Sequence, residues 1–261
     1  MKPITIVTGA SSGIGRELAR LAAREGGAIL LVGRNHKALD ELATELNGSA
    51  AAHAFAIDLA DRHAGERIDA KLGEIGAYCD ILVNCAGFGV FGAAAETGAE
   101  QHLKLIDVNI RALTELTLRF LPGMISRRRG GVLNVASITG YAPGPNMSTY
   151  FASKAYVLSF TAALAAETAG TGVTVTCLAP GVVRTAFFQR SAGGQTHMVK
   201  IAPRTDARET AEAGWRGFRA GKRLVIPRLI NRVIACGAIV LPPSVVLRIA
   251  SLLLRSRRNA L

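Results

Sequence analysis

Aromatic side chains make up only 5% of the 261 residues, and Trp215 is the single tryptophan. That scarcity argues against a surface built for stacking bases, so no nucleic-acid partner is expected despite a net charge of +12. Cysteine is sparse as well. Cys79, Cys85, Cys177 and Cys236 are widely spaced with no C-x-x-C pair, which argues against a disulfide framework and against a metal site, and predicts buried free thiols. The apolar, uncharged run from Val233 to Leu247 is 15 residues long and holds Pro242 and Pro243. It is too short and too broken for a membrane-spanning helix, which needs about 20 residues. Met1-Lys2-Pro3 leads straight into a strand-like run without an apolar signal region, so the expectation is a cytoplasmic protein. The last absence is acidic: no Asp or Glu occurs from Ala213 to the end. Residues 1–199 carry 18 basic and 16 acidic side chains, net +2, whereas residues 200–261 carry 13 and 3, net +10. The excess charge is therefore local.

What is present is a globular composition, 49% hydrophobic and 19% charged. Strand-length apolar runs alternate with longer segments of helical period, which predicts an α/β fold: a doubly wound, mostly parallel sheet of seven strands with helices on both faces. The strand candidates are Ile4 to Thr8, Ala28 to Val32, Ala52 to Ile57, Ile81 to Asn84, Gly131 to Ala136, Val173 to Leu178 and Arg223 to Ile226. Helices are expected to begin near Gly13, His36, Asp61, Gly98, Tyr150 and Asp206. In the first, Ile14, Leu18, Leu21 and Ala22 share one face that should pack on the sheet. No repeat or linker divides the chain, so residues 1–226 are expected to form one catalytic domain and residues 227–261 a helical extension. Arg184 to Arg208 lacks a clear period and follows a strand end, placing a substrate-covering loop over about residues 184–212.

Thr8-Gly9-Ala10-Ser11-Ser12-Gly13-Ile14-Gly15 joins the first strand to the first helix, the context required of a dinucleotide-binding turn. Gly9 permits the tight turn, Gly13 lets backbone approach a pyrophosphate, and Gly15 lets the helix sit against the strand. The helix start supplies unpaired N–H groups and positive dipole. At the end of the second strand, Leu31-Val32-Gly33-Arg34 has a cation where a ribose-binding acid would stand. A carboxylate would repel a 2′-phosphate and Arg34 can grip one, which favours NADP(H) over NAD(H).

Ser137 ends the fifth strand candidate, and Tyr150 and Lys154, at i and i+4, share one face of the next helix. A free phenol titrates near ~10, so the ammonium, together with an oxidised nicotinamide ring, is expected to stabilise the Tyr150 phenolate while Ser137 holds a carbonyl oxygen. With these residues the sequence resembles the short-chain dehydrogenase/reductase family. The likeness spans residues 4–226 and includes Thr8 to Gly15, Asp58-Leu59, Asn84-Cys85-Ala86-Gly87, Asn109, Ser137, Tyr150 with Lys154, and Pro180-Gly181 with Thr185. Cys85 is a small departure from the family's usual N-A-G or N-N-A-G run.

The resemblance implies a Rossmann fold and a hydride-transferring enzyme in which Asn109, Ser137, Tyr150 and Lys154 are catalytic, Asn109 holding a water that links Lys154 to solvent. It implies a cofactor site of Gly9, Ser11, Ser12, Gly13, Ile14, Gly15, Arg34, Asp58, Leu59, Asn84, Ala86, Gly87, Pro180, Gly181, Val183 and Thr185, with Tyr150 and Lys154 at its inner end. Asp58 would bind the adenine amino group, Asn84 would brace the sheet, and Thr185 would reach the carboxamide. The expected function is NADPH-dependent reduction of a hydrophobic ketone or aldehyde, or the reverse oxidation. The alternatives are a silent NADP(H)-binding protein and a membrane-surface scaffold. Self-association as a dimer or tetramer is expected by analogy.

The extension reads as two short helices on either side of Pro242-Pro243, more apolar than one packed face requires. Three roles stay open for it: covering the substrate cleft while packing on another subunit, lying in a membrane interface through residues 227–258 with its arginines near headgroups, or closing the core.

Overall fold

The computed structural model describes residues 1–48, 50–185 and 205–254. The strands are β1 (Lys2–Thr8), β2 (Ala28–Gly33), β3 (Ala52–Ala56), β4 (Ala77–Asn84), β5 (Gly131–Val135), β6 (Thr174–Leu178) and β7 (Leu224–Val225). They form one sheet in the order β3-β2-β1-β4-β5-β6-β7, parallel throughout. Alternate residues of each strand enter opposite cores: Ile4, Ile6, Leu30 and Val32 on one face, Val7, Ile29 and Leu31 on the other. Burial on both faces is why these strands read as continuous apolar runs.

The helices are α1 (Gly13–Ala23), α2 (His36–Leu46), α3 (Ala64–Glu74), α4 (Ala99–Ile106), α5 (Leu113–Ser126), α6 (Ser148–Glu167), α7 (Ala207–Arg219), α8 (Leu229–Val240) and α9 (Pro243–Leu253). Leu18 of α1, Leu39 and Leu42 of α2 and Trp215 of α7 fill the core on one side of the sheet; Ile68 of α3, Leu116 of α5 and Leu164 of α6 fill the other. Asn35 and Asp206 start α2 and α7 as caps, their side chains accepting from the Ala38 and Arg208 N–H groups. Between α4 and α5, Asp107–Ala112 forms a π-helical turn within one long helical path, a device the sequence period does not reveal.

On α1 Gly15, Leu18, Ala19, Ala22 and Ala23 are buried, and Ile14 and Leu21, half-buried, pack against the same core, as expected. Gly15 permits the close approach: a Cβ there would overlap the Gly9 carbonyl oxygen. The structure departs from the sequence reading elsewhere: β4 begins at Ala77, four residues ahead of Ile81. The last strand is shorter than expected because the chain leaves the sheet at Pro227, although Cys177 N–H still donates to the Arg223 carbonyl. The expected loop over 184–212 ends early. Thr205 bridges Val183, and Ala207–Glu212 already belong to α7 behind the Asp206 cap. Residues 186–204 of that loop lie outside the described residues. Finally, Cys79 and Cys177 are buried, but Cys85 is only partly so and Cys236 is exposed. Cys236 lies on α8, which buries only Asn231 and Ala235.

Candidate active site

The sheet reverses its winding between β1 and β4, and a crevice opens at the carboxyl ends of the strands there. Thr8 locks its floor. The Thr8 hydroxyl donates to the Val83 carbonyl at 3.3 Å and accepts from the Cys85 and Ala86 N–H groups at 3.0 and 3.1 Å. Gly9 takes φ +70° with Ala86 close against it; a Cβ would stand 2.9 Å from the Ala86 Cα. Gly13, at φ +57°, leaves a gap that a Cβ would close against the Thr185 methyl at 2.9 Å. The result is a side-chain-free cradle at the N-terminus of α1, the shape and polarity that a pyrophosphate fits.

A cavity of about 1280 Å³ extends from this cradle to the start of α6. Gly9, Ser11, Ser12, Gly13, Ile14, Gly15, Arg34, Asp58, Leu59, Ala86 and Gly87 line one end, and Ser137, Tyr150, Lys154, Pro180, Gly181, Val183 and Thr185 the other. Arg34 is exposed on the rim at the end of β2. Asp58 accepts from the Ala60 N–H at 3.1 Å and pairs with Lys104 at 3.0 Å. Burial opposes its ionisation, but the Ala60 N–H and the Lys104 ammonium outweigh that and hold the carboxyl below its usual range.

Two expected site residues stand behind the cavity wall, Asn84 bracing the sheet as expected. Asn84 is buried and donates to Thr117 Oγ1 at 3.0 Å and Asn134 Oδ1 at 2.9 Å, tying β4 to α5 and β5. Asn109 lies in the π-helical turn. Its side chain donates to the Phe88 carbonyl and to Ser153 Oγ and accepts from the Phe88 N–H. It thus fixes the segment that carries Gly87, where a Cβ would come within 3.1 Å of Asn109 Oδ1 and 3.6 Å of Lys154 Nζ.

Ser137 follows β5 and caps a short 3-10 turn (Ile138–Tyr141), accepting from the Thr139 N–H at 3.2 Å. Tyr150 is 8% exposed, and burial pushes its phenol up to about 12 against the opposing hydrogen bonds of Ser137 and Thr139. Burial also pulls Lys154 down to about 8. Its ammonium donates to the Val135 carbonyl at 2.9 Å and stands 5.8 Å from the centre of the Tyr150 ring. The three side chains therefore meet, and burial is the largest influence on the Tyr150 phenol, holding it above its ordinary range.

The sequence reading missed several residues of this site. Thr139 and Lys104 line it. The Arg111 guanidinium donates to the carbonyls of Leu59, Ala60 and Asp61 while pairing with Asp107 and Glu115, so it clamps the loop that bears Asp58. The i, i+4 spacing of Asp107, Arg111 and Glu115 was the available signal. The apolar end was also missed in detail: Phe88, Met147 and Phe151 face Ile230, Ile234 and Leu241 of the α8 segment and Val246 and Ile249 of α9. Leu254 closes that end, buried with Tyr150, Phe151 and Met147. Among the described residues no group of three His, Cys, Asp or Glu side chains is placed to hold a metal ion.

Comparison with known proteins agrees with this geometry. The short chain dehydrogenase family model matches residues 3–195. Sulfoacetaldehyde reductase 2 of Chromohalobacter salexigens is 37% identical over 197 residues, covering 74% of this chain and 78% of that one. A short-chain dehydrogenase from Sphingobium yanoikuyae, solved in complex with NADPH, superposes with a TM-score of 0.81 at 32% identity, covering 90% of this chain and 92% of the other. The bulky-bulky ketone specific alcohol dehydrogenase from Comamonas testosteroni superposes with a TM-score of 0.75 at 28% identity, covering 87% and 86%.

Proposed function

The chain belongs to the short-chain dehydrogenase/reductase family of nicotinamide-dependent oxidoreductases acting on carbonyls and alcohols, and we propose that it reduces a hydrophobic ketone or aldehyde with NADPH. The observation that carries this reading is the meeting of Ser137, Tyr150 and Lys154 in one cavity whose far end is the glycine cradle. The Gly9–Gly15 turn would hold the pyrophosphate, Arg34 the 2′-phosphate, Asp58 and Leu59 the adenine, and Pro180, Gly181, Val183 and Thr185 the nicotinamide end. When bound, the cofactor supplies the hydride.

The protein's own work is with the proton. Ser137 orients the carbonyl oxygen, and Tyr150 donates its phenolic proton to that oxygen. A phenol that desolvation keeps protonated is suited to act as the acid. Lys154 stabilises the phenolate left behind, while Asn84 and Asn109 hold the wall in register from behind. The reverse oxidation uses the same groups with Tyr150 as base. A silent binding protein has no need of this constellation, and its presence disfavours that alternative.

Arg34 and the NADPH-bound relative support NADP(H) over NAD(H). The apolar walls contributed by Phe151, Ile234 and Leu241 support a bulky, hydrophobic carbonyl compound, in line with a relative named for bulky ketones. The catalytic domain is then 1–226 and the extension 227–261, with its residues up to Leu254 completing the substrate end. The test is NADPH consumption against aryl and long-chain ketones beside short polar ones. Turnover with the former at higher kcat/KM is expected. No NADPH-dependent turnover with any carbonyl compound, or a preference for the small polar ones, overturns the reading.

A further inference from the structure

We propose that the outward face of the α8–α9 extension docks on an anionic lipid surface. Each of its helices is apolar on two sides. On α8, Ile230 and Ile234 line the cleft, whereas Leu229, Val233 and Val240 do not and are 73%, 58% and 82% exposed. On α9, Val246 and Ile249 line the cleft while Leu247 and Leu252 are turned out and half exposed. Eleven of the 17 exposed large apolar side chains among the described residues fall within 229–252, and seven of these eleven lie off the cleft wall. A patch of this kind marks an interaction surface.

The charge around it selects the occupant. From Ala213 to the end there are ten Lys and Arg and no acidic residue. Within the extension, Arg228 is held by Glu209 at 2.8 Å, Arg232 donates to the Ile226 carbonyl, and Arg248 lies on α9. A second copy of the chain is a poor partner, because a two-fold contact would set Arg232 and Arg248 against their own copies, while the nearby carboxylate of Glu209 is already engaged by Arg228. A lipid surface offers apolar depth for Val233 and Val240 and anionic headgroups for the arginines. No described helix is long and apolar enough to cross a membrane, so the contact is peripheral.

The same two helices form the apolar wall of the cleft on their other side. A carbonyl compound dissolved in the lipid would thus meet the cleft at the docked face. This consequence rests on the proposed carbonyl reduction; the docking itself does not.

The experiment is co-sedimentation of the full chain, loaded with NADPH, with phosphatidylcholine vesicles made with and without phosphatidylglycerol. Expected is binding to the anionic vesicles at least about tenfold stronger than to phosphatidylcholine alone, weakening as salt rises. The double variant Val233→Asp, Val240→Asp should lose at least about tenfold in that binding. It should keep its thermal midpoint and its turnover of a water-soluble ketone, since neither residue lines the cleft. Absence of binding to anionic vesicles, or a double variant that binds like the parent, overturns the proposal. So does loss of self-association in the double variant without any vesicle binding by the parent, which would make the face a subunit contact. Turnover intact without vesicle binding sinks the docking alone, and vesicle binding by a chain that turns over no carbonyl compound sinks the reaction alone.

Discussion

The two ends of one cavity are built on opposite terms. At the catalytic end, polar groups are buried and engaged: Asn84 bonds Asn134 and Thr117, Asn109 bonds Phe88 and Ser153, and Lys154 bonds the Val135 carbonyl. Each hydrogen bond fixes a direction, and removing a partner would leave a buried group unpaired at a cost of about 1–3 kcal/mol. At the α8–α9 end the wall is mostly apolar, with no directional bond from Ile230, Ile234 or Leu241 into the cavity, and its one buried polar side chain on α8, Asn231, donates to the Pro227 carbonyl. Chemistry demands fixed geometry and is met by the first kind of wall. Selection of a hydrophobic compound demands only volume and apolar surface, and the second kind supplies both.

Substitutions at the two ends should separate these roles. The largest effect is expected at the phenol: Tyr150→Phe should lower kcat by about 10²–10⁴-fold, the usual worth of a positioned acid, with NADPH affinity by fluorescence titration nearly unchanged. Near-normal turnover would mean that the polar end is scaffold and not machinery. Next is Arg34→Ala, which should raise the NADPH KM about tenfold or more, the loss of a charge-assisted contact, and leave that for NADH in place. Equal losses for both cofactors would remove Arg34 from the 2′-phosphate.

The pH profile sharpens the same end. Lys154 titrates near about 8, so its charged form predominates below that pH and is lost as pH rises through it. Burial pushes the Tyr150 phenol up to about 12, so it is expected to keep its proton over the assayed range. The kcat/KM for reduction should therefore be level below pH about 8 and decline several-fold above it, without the further loss that an ionising phenol would bring. The smallest effect belongs to the apolar end. Ile234→Ala should change kcat/KM for a bulky ketone by about tenfold and that for a small one by less, through KM, because pocket methylenes are worth only about 1–3 kcal/mol.

The same contrast explains what the sequence revealed. A rigid polar site needs particular residue types at fixed spacings, so Gly9, Gly13 and Gly15, Ser137, and Tyr150 with Lys154 were legible as a pattern. Apolar strand runs and the helix starts near His36 and Asp206 were legible for the same local reason. What depends on packing was not. The π-helical turn that presents Asn109 interrupts a period that looks helical throughout. The protonated state of Tyr150 follows from burial, which a spacing of four residues does not disclose. The extension was readable as two apolar helices. Which of its residues turn to the cleft became visible only once α8 and α9 were placed beside it.

Carbonyl reduction within this cavity is tested most directly by following the transferred hydrogen. With NADPH carrying deuterium at its transferable position and a bulky aryl ketone as substrate, the product alcohol should carry the label on its carbinol carbon by mass spectrometry, and Tyr150→Phe should yield almost no labelled alcohol. Unlabelled alcohol from the parent chain, or undiminished labelled alcohol from the variant, would contradict the account.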